Sequence, residues 1–211
     1  MNAVGHIADS IRTGAIELGI AGGVESMSRA PFVMGKQATA FGRDAELHDT
    51  TLGWRFVNPR IEEQYGLDSM AETAENVADG FLVSRTDQDA FALRSQQRAA
   101  AAMNSGLFAE EIVPVTIKTR KGETVVDTDE RPMDTSLEKM GKLRPAFKKD
   151  GTVTAGNASG INDGAAAVLL MSADMANDLG LEPIVKVKAF RSGGLDPAYM
   201  GLGPVPAIKK V

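Results

Sequence analysis

Between residues 153 and 172 the chain changes character. The first part, VTAGNASGINDG, is small, polar and glycine-rich, and the second, AAAVLLMS, is almost wholly apolar. Glycine and alanine put little side chain in the way, so the first part can bring its backbone close to a ligand. The second part reads as a buried strand that holds the turn rigid. A small-residue loop on a rigid scaffold is a common way to build a site.

The classes of chemistry open to this turn are narrowed by what the chain lacks. It has 211 residues and no cysteine, which excludes disulfides, thiolate metal sites and cysteine nucleophiles within it. The only histidines, His6 and His48, are far apart, so a zinc site would need carboxylates for most of its ligands, and no metal site is expected. The formal net charge of −5 argues against nucleic acid as the main partner. It leaves room for a local basic patch that holds a phosphorylated cofactor. There is no apolar run of about 18 residues, so no membrane span is expected. The opening MNAVGH lacks the basic-then-apolar pattern of a signal peptide, and a cytoplasmic protein is the expectation.

Periodicity predicts the elements. Val4, Ile7, Ala8 and Ile11 fall at helical spacing over 1–13, with Gly14 as a C-terminal cap. Residues 16–24 read as a buried strand. Residues 32–68 are irregular, hold the only tryptophan (Trp54), and read as an excursion such as an oligomer contact or a lid. Helices follow at 71–83 and 85–103, the second opened by Ser84 with Asp87 three residues on and stopped at Gly106. Strands are predicted at 111–118 and 124–126, joined by a turn as a hairpin. A short helix at 173–179 is capped by Gly180, a strand runs over 183–190, and a helix opens at Pro204. There is no internal repeat. Two α/β pieces thus bracket a mostly helical insertion.

Most single motifs have a plain reading. Gly22 and Gly23 lack the spacing of a dinucleotide or Walker loop and read as close packing at a strand end. Ser159 is not in a Gly-x-Ser-x-Gly elbow and has no histidine nearby in sequence. The pairs Glu110/Glu111 and Asp127/Asp129 read as solvated surface, and His6 and His48 as packed or surface side chains. Lys142, Arg144, Lys148 and Lys149 surround Phe147. That cluster suits either a solvated loop or the phosphates and base of a nucleotide-bearing cofactor.

Taken in order, the segments GGVESMSRAP (22–31), AETAENV (71–77), SRTDQDAF (84–91), FAEEIVP (108–114), LRPAF (143–147), TVTAGNASGINDGA (152–165) and MGLGPVP (200–206) resemble the thiolase family along essentially the whole chain. The loop AFGR (40–43) with DTTLGWRFVNP (49–59) resembles the branch that acts on 3-oxoadipyl-CoA. The resemblance implies two similar α/β halves in an αβαβα layered fold, incomplete here, with a mostly helical loop domain inserted in the first half. Residues 1–31 would end the N-terminal half, 32–155 would form the inserted CoA-binding and oligomer-forming domain, 156–182 would return to the N-terminal half, and 183–211 would open the C-terminal half.

The resemblance also implies a reaction. A nucleophilic cysteine takes an acyl group from a 3-ketoacyl-CoA, a second cysteine and histidines handle protons and the oxyanion, and CoA accepts the acyl group. CoA thioesters would then be substrates, with no covalently bound cofactor, and the full-length protein would be a homodimer or homotetramer. By position, Ser159, Ala155 and Phe147 match CoA-contacting residues, Met70 and Met200 match the pantetheine slot, and Arg131 matches an adenine-side arginine in a segment one residue shorter than usual. The family's Cys-x-Ser-Gly-[Leu/Met] motif would place its nucleophile just upstream of Met1, and its histidine and second-cysteine motifs would lie beyond Val211. The expectation is therefore an internal fragment with no catalytic residue of its own, inactive alone. The alternative is a CoA-binding or oligomerisation piece.

Overall fold

The computed structural model describes residues 1–211 and resolves into two compact units: Met1–Ser69 with Ile161–Val211, and Met70–Gly160. The sequence reading drew the insertion as 32–155; the helical unit of the structure runs from Met70 to Gly160.

In the first unit, helix α1 (Asn2–Arg12) precedes strand β1 (Leu18–Glu25), which pairs antiparallel with β6 (Gly164–Met171). Gly14 takes φ +71 at the end of α1, the left-handed conformation that glycine adopts without a Cβ penalty. A small pair, β2 (Phe32–Met34) and β3 (Leu47–Asp49), and helix α2 (Pro59–Tyr65) occupy the segment read as irregular. Asn58 caps α2 by accepting from Arg60 N at 3.0 Å. Helix α6 (Ala173–Asp178) and helix α7 (Pro204–Ile208) follow β6, with a 3-10 turn at Pro197–Leu202 between them. No helix is long and apolar enough to cross a membrane.

The second unit is helical. Helices α3 (Met70–Phe81) and α4 (Arg85–Asn104) are followed by the hairpin β4 (Val115–Thr119) and β5 (Gly122–Val126), and by α5 (Leu137–Gly141). The Ser84 hydroxyl accepts from Asp87 N at 3.1 Å and donates to Asp87 Oδ2 at 2.6 Å, so the predicted cap opens α4. Met140, Ala78 and Val153 form the apolar centre. Arg85 Nη2 ties α4 to α5 by donating to the carbonyls of Met140 at 2.7 Å and Leu143 at 3.2 Å.

Three sequence expectations fail. The strands at 16–24 and 165–172 are expected to be buried, yet in β1 only Ala21 is buried and Ile20 and Val24 are 70% and 79% exposed; β6 is exposed over most of its length. The sheet has two strands, α1 packs across both, and too little else in the chain covers them. The strand predicted at 183–190 is absent. The segment is tethered to α1, Arg12 Nη2 donating to Val187 O and Lys188 O, but it has no ladder partner, and Ile184 stands 98% exposed. The strand predicted at 111–118 begins only at Val115, after Pro114.

Each strand of the β1–β6 sheet keeps one unpaired edge and exposed apolar side chains, a template for self-association. The 211-residue chain is expected to associate at micromolar concentration. Ile20 and Leu169 face each other across the ladder. Ile20→Lys with Leu169→Glu should keep the pair and shift the chain toward monomer; light scattering reads both, and a monodisperse parent would refute this.

Candidate functional site

The glycine-rich turn of 152–160 is held from below by two carboxylates on neighbouring helices. Glu75, on the buried face of α3, is 1% exposed. It accepts from Thr152 N at 2.8 and 2.9 Å on its two oxygens, from Thr152 Oγ1 at 2.8 Å and from Val153 N at 2.7 Å. Gly151 leaves no room for a Cβ beside this carboxylate. Burial raises the Glu75 pKa, but the N–H groups of Val153 and Thr152 and the Thr152 hydroxyl outweigh it, and the carboxyl ends below its ordinary range.

Asp89, on α4 and 4% exposed, accepts from Arg85 Nε at 2.8 Å and from Asn157 Nδ2 at 3.0 Å. Asn157 in turn donates to Thr152 O at 3.1 Å and accepts from Thr154 N at 2.7 Å. Thr154, fully buried, takes the next step: its carbonyl accepts from Asn157 N and Ala158 N, and its hydroxyl from Gly156 N. Gln88 Nε2 donates to Thr152 Oγ1 at 2.8 Å. The turn is therefore bonded internally and from α3 and α4, with its small side chains left outward.

Four of the sequence-predicted residues lie in this same region of the second unit. Ala155 and Ser159 sit on the turn, both exposed, and the Ser159 hydroxyl makes no hydrogen bond within the chain. The Arg131 guanidinium lies against Gly160, in the space that a Cβ at that position would fill, and it forms no ion pair. Phe147 is half-exposed between two tethers: Ala146 N donates to Val153 O, and Lys148 Nζ donates to Asp79 at 2.6 Å. The Asp79 carboxylate pushes the Lys148 pKa up. Met70 opens α3 and is exposed. Met200 lies in the first unit, on the 3-10 turn Pro197–Leu202, and is also exposed.

Of the four basic residues around Phe147, Lys142 is paired with Glu138 and Lys148 with Asp79, which leaves Arg144 and Lys149 without an ion pair. In the first unit Asp163, just before β6, accepts from Ser28 Oγ and Ser28 N; these bonds hold its carboxyl below the usual range and fasten the loop that leaves β1. No cluster of three or more histidine or carboxylate side chains is arranged to hold a metal ion.

Glu75 and Asp89 were not singled out from the sequence. A signal existed: Glu75 falls one turn before Ala78 on the face of the 71–83 helix that must be buried, and a carboxylate there has to find donors.

Glu75→Ala should cost about 2–3 kcal/mol in the second unit, because it strands the buried N–H groups of Thr152 and Val153. The pH dependence has a definite sign. A carboxylate with a lowered folded pKa stabilises fully above its unfolded value, near ~4.3, and loses that contribution as pH falls through the lower folded value. Unfolding of the unit should therefore accelerate below about pH 4, and less so in Glu75→Gln; circular dichroism across an acid titration reads both, and identical acid transitions would refute the assignment.

Comparisons with known proteins identify the family. The family described as "Thiolase, N-terminal domain" matches residues 1–174. The beta-ketoadipyl-CoA thiolase of Pseudomonas aeruginosa is 58% identical over 212 residues, covering 100% of this chain and 53% of that protein. The 3-oxoadipyl-CoA/3-oxo-5,6-dehydrosuberyl-CoA thiolase of Escherichia coli K12 is 56% identical over 214 residues, with 100% and 53% covered. Among solved structures, the Bacillus anthracis acetyl-CoA acetyltransferase superposes with TM-score 0.85 at 41% identity, covering 100% of this chain and 52% of that one. Human mitochondrial 3-ketoacyl-CoA thiolase gives TM-score 0.85 at 40% identity, with 100% and 52% covered. The chain spans about half the length of the curated relatives it matches. With the family matched over residues 1–174, the chain belongs to the thiolase family and has, incomplete, its α/β fold.

Proposed function

We propose that this chain is the coenzyme A-holding part of a thiolase-type acyltransferase. The reaction of the whole protein is thiolytic cleavage of a 3-ketoacyl-CoA, 3-oxoadipyl-CoA or a similar thioester, giving acetyl-CoA and a shortened acyl-CoA. A thiolate attacks the 3-keto carbon, the bond between carbons 2 and 3 breaks, and the departing acetyl-CoA carbanion takes a proton; the CoA thiol then takes the acyl group from the enzyme.

One observation carries the binding half of this reading. The turn at 152–160 is fixed by buried donors and acceptors and yet presents Ala155, Ser159 and the neighbouring Arg131 to solvent. Its small side chains suit a narrow pantetheine arm, the free Ser159 hydroxyl suits an amide of that arm, and Phe147 with Arg131 suits the adenine end. Met70, exposed at the start of α3, suits a slot wall, since methionine adapts to a flexible ligand. The substrate assignment rests on the names of the similar beta-ketoadipyl-CoA thiolases. On this reading residues 32–155 form the loop domain, 1–31 and 156–182 belong to the N-terminal half, 183–211 begin the C-terminal half, and the whole protein is a cytoplasmic homodimer or homotetramer that uses CoA thioesters with no separate cofactor.

A second reading, a CoA-binding or oligomerisation piece without catalysis, is favoured by one feature: the chain has no cysteine, while Phe41, Trp54 and Phe56 stand exposed.

Calorimetric titration of the 211-residue chain should detect CoA binding, and Ser159→Ala should weaken it about 3–10-fold through loss of one hydrogen bond. With acetoacetyl-CoA and CoA the same chain should show no turnover, for want of a thiolate. Sustained turnover would sink the binding-only role, and absence of any CoA affinity would sink the turn as its site.

A further inference from the structure

The two buried carboxylates that hold the turn bond only to other groups of the chain. Every hydrogen bond of Glu75 ends on Thr152 or Val153. Asp89 divides its two oxygens between Arg85, one helical turn away, and Asn157 of the turn. A buried ion pair is costly, and well-packed apolar residues of similar size are often at least as stabilising, so the Asp89–Arg85 pair is not explained by stability alone. Glu75 stabilises the unit by satisfying buried N–H groups, and the same bonds also set the geometry of the turn.

Geometry supplies the other explanation. Between them these groups hold the backbone at 152 and 153 and the side chain at 157, on both sides of Ala155. Asn157 is the hinge of the arrangement. Its Nδ2 is shared by Asp89 and Thr152 O, while its Oδ1 fixes Thr154 N. The next residues along are Ala158 and Ser159, whose outward presentation depends on where Asn157 is held.

We propose that Asp89 and Glu75 are positioning residues for thioester binding: acting through Asn157 and Thr152, they preset the turn so that Ser159 meets the pantetheine arm of a CoA thioester. The proposal rests on the reading of the turn as the CoA site. Binding energy is then not spent on ordering the turn, which is how a rigid loop gains affinity. Asp89 acts on the ligand only through the Asn157 amide, so reversing that pair is a direct probe. Asp89→Asn leaves two amides that must choose a common orientation, Asn157→Asp sets two carboxylates face to face, and the double variant restores one amide against one carboxylate while leaving Thr152 O without its donor.

The test uses the 211-residue chain, CoA as the probe, and hydrogen exchange of the turn amides beside calorimetry. Each single variant should weaken CoA binding at least 10-fold and speed exchange at 155–159 at least 10-fold, while amides in the middle of α3 and α4 exchange as in the parent. The double variant should bind CoA at least about 3-fold more tightly than Asn157→Asp yet short of the parent, because the donor to Thr152 O stays lost. Glu75→Gln, which keeps the side chain's shape, should act like the single variants; it keeps the test alive if Asn157→Asp does not fold. Variants that fold and bind CoA like the parent, or a double variant no better than Asn157→Asp, overturn the positioning role with the CoA reading intact. A parent chain that does not bind CoA overturns the CoA reading itself, and the proposal with it. Exchange that rises equally in the turn and in the helix centres also overturns it, as it marks plain destabilisation.

Discussion

The Glu75 carboxylate is the interaction on which the second unit depends. A helix and a loop that meet across 77 positions of sequence need a contact strong enough to offset the loop's closure entropy. Apolar packing cannot do this alone here, because the turn of 152–160 is built from glycine, alanine and short polar residues that bury little area. One carboxylate that accepts four short hydrogen bonds supplies direction as well as energy, and it satisfies two backbone N–H groups that would otherwise be buried without partners.

Much of the chain could be read from sequence, for local reasons. The start of α4 was fixed by Ser84 and Asp87, whose reciprocal bonds need only four consecutive residues. The ends at Gly14, Gly106 and Gly180 were readable because each takes a positive φ that other residues avoid. The hairpin of β4 and β5 carries its own register through the turn at 120–121. What failed was non-local. Residues 183–190 alternate as a strand should, but a strand exists only with a partner, and here the segment's carbonyls are taken by Arg12 instead. Periodicity also named β1 and β6 as buried; it reports an apolar segment, and whether that segment is covered is decided by other elements.

The site divides along the same line. The turn itself was visible as a run of small residues, while Ser159, Ala155 and Phe147 were named as CoA contacts only through the resemblance. Its supports were not. Glu75 and Asp89 are ordinary polar residues in sequence, and only the fold brings them to the turn, to Val153 and Asn157 that lie 78 and 68 residues further on. Arg131 stands between the two cases. Its spacing is irregular as a motif, yet the structure lays its guanidinium on Gly160, beside Ser159.

Two glycines show how this division works physically. At Gly151 the missing Cβ makes room for the buried Glu75 carboxylate, and at Gly160 for the exposed Arg131 guanidinium. One end of the turn is thus cut away to admit an anion from the protein's interior, and the other to admit a cation from its surface. The first contact fixes the backbone; the second leaves a positive charge beside the free Ser159 hydroxyl with no acidic partner to neutralise it. The turn is fixed where it meets the helices and carries the Arg131 guanidinium beside Gly160 where it meets solvent. An anionic ligand with a slender, amide-bearing arm suits both properties, whereas a cationic ligand would meet the guanidinium and a bulky one would gain nothing from residues as small as Ala155 and Ala158.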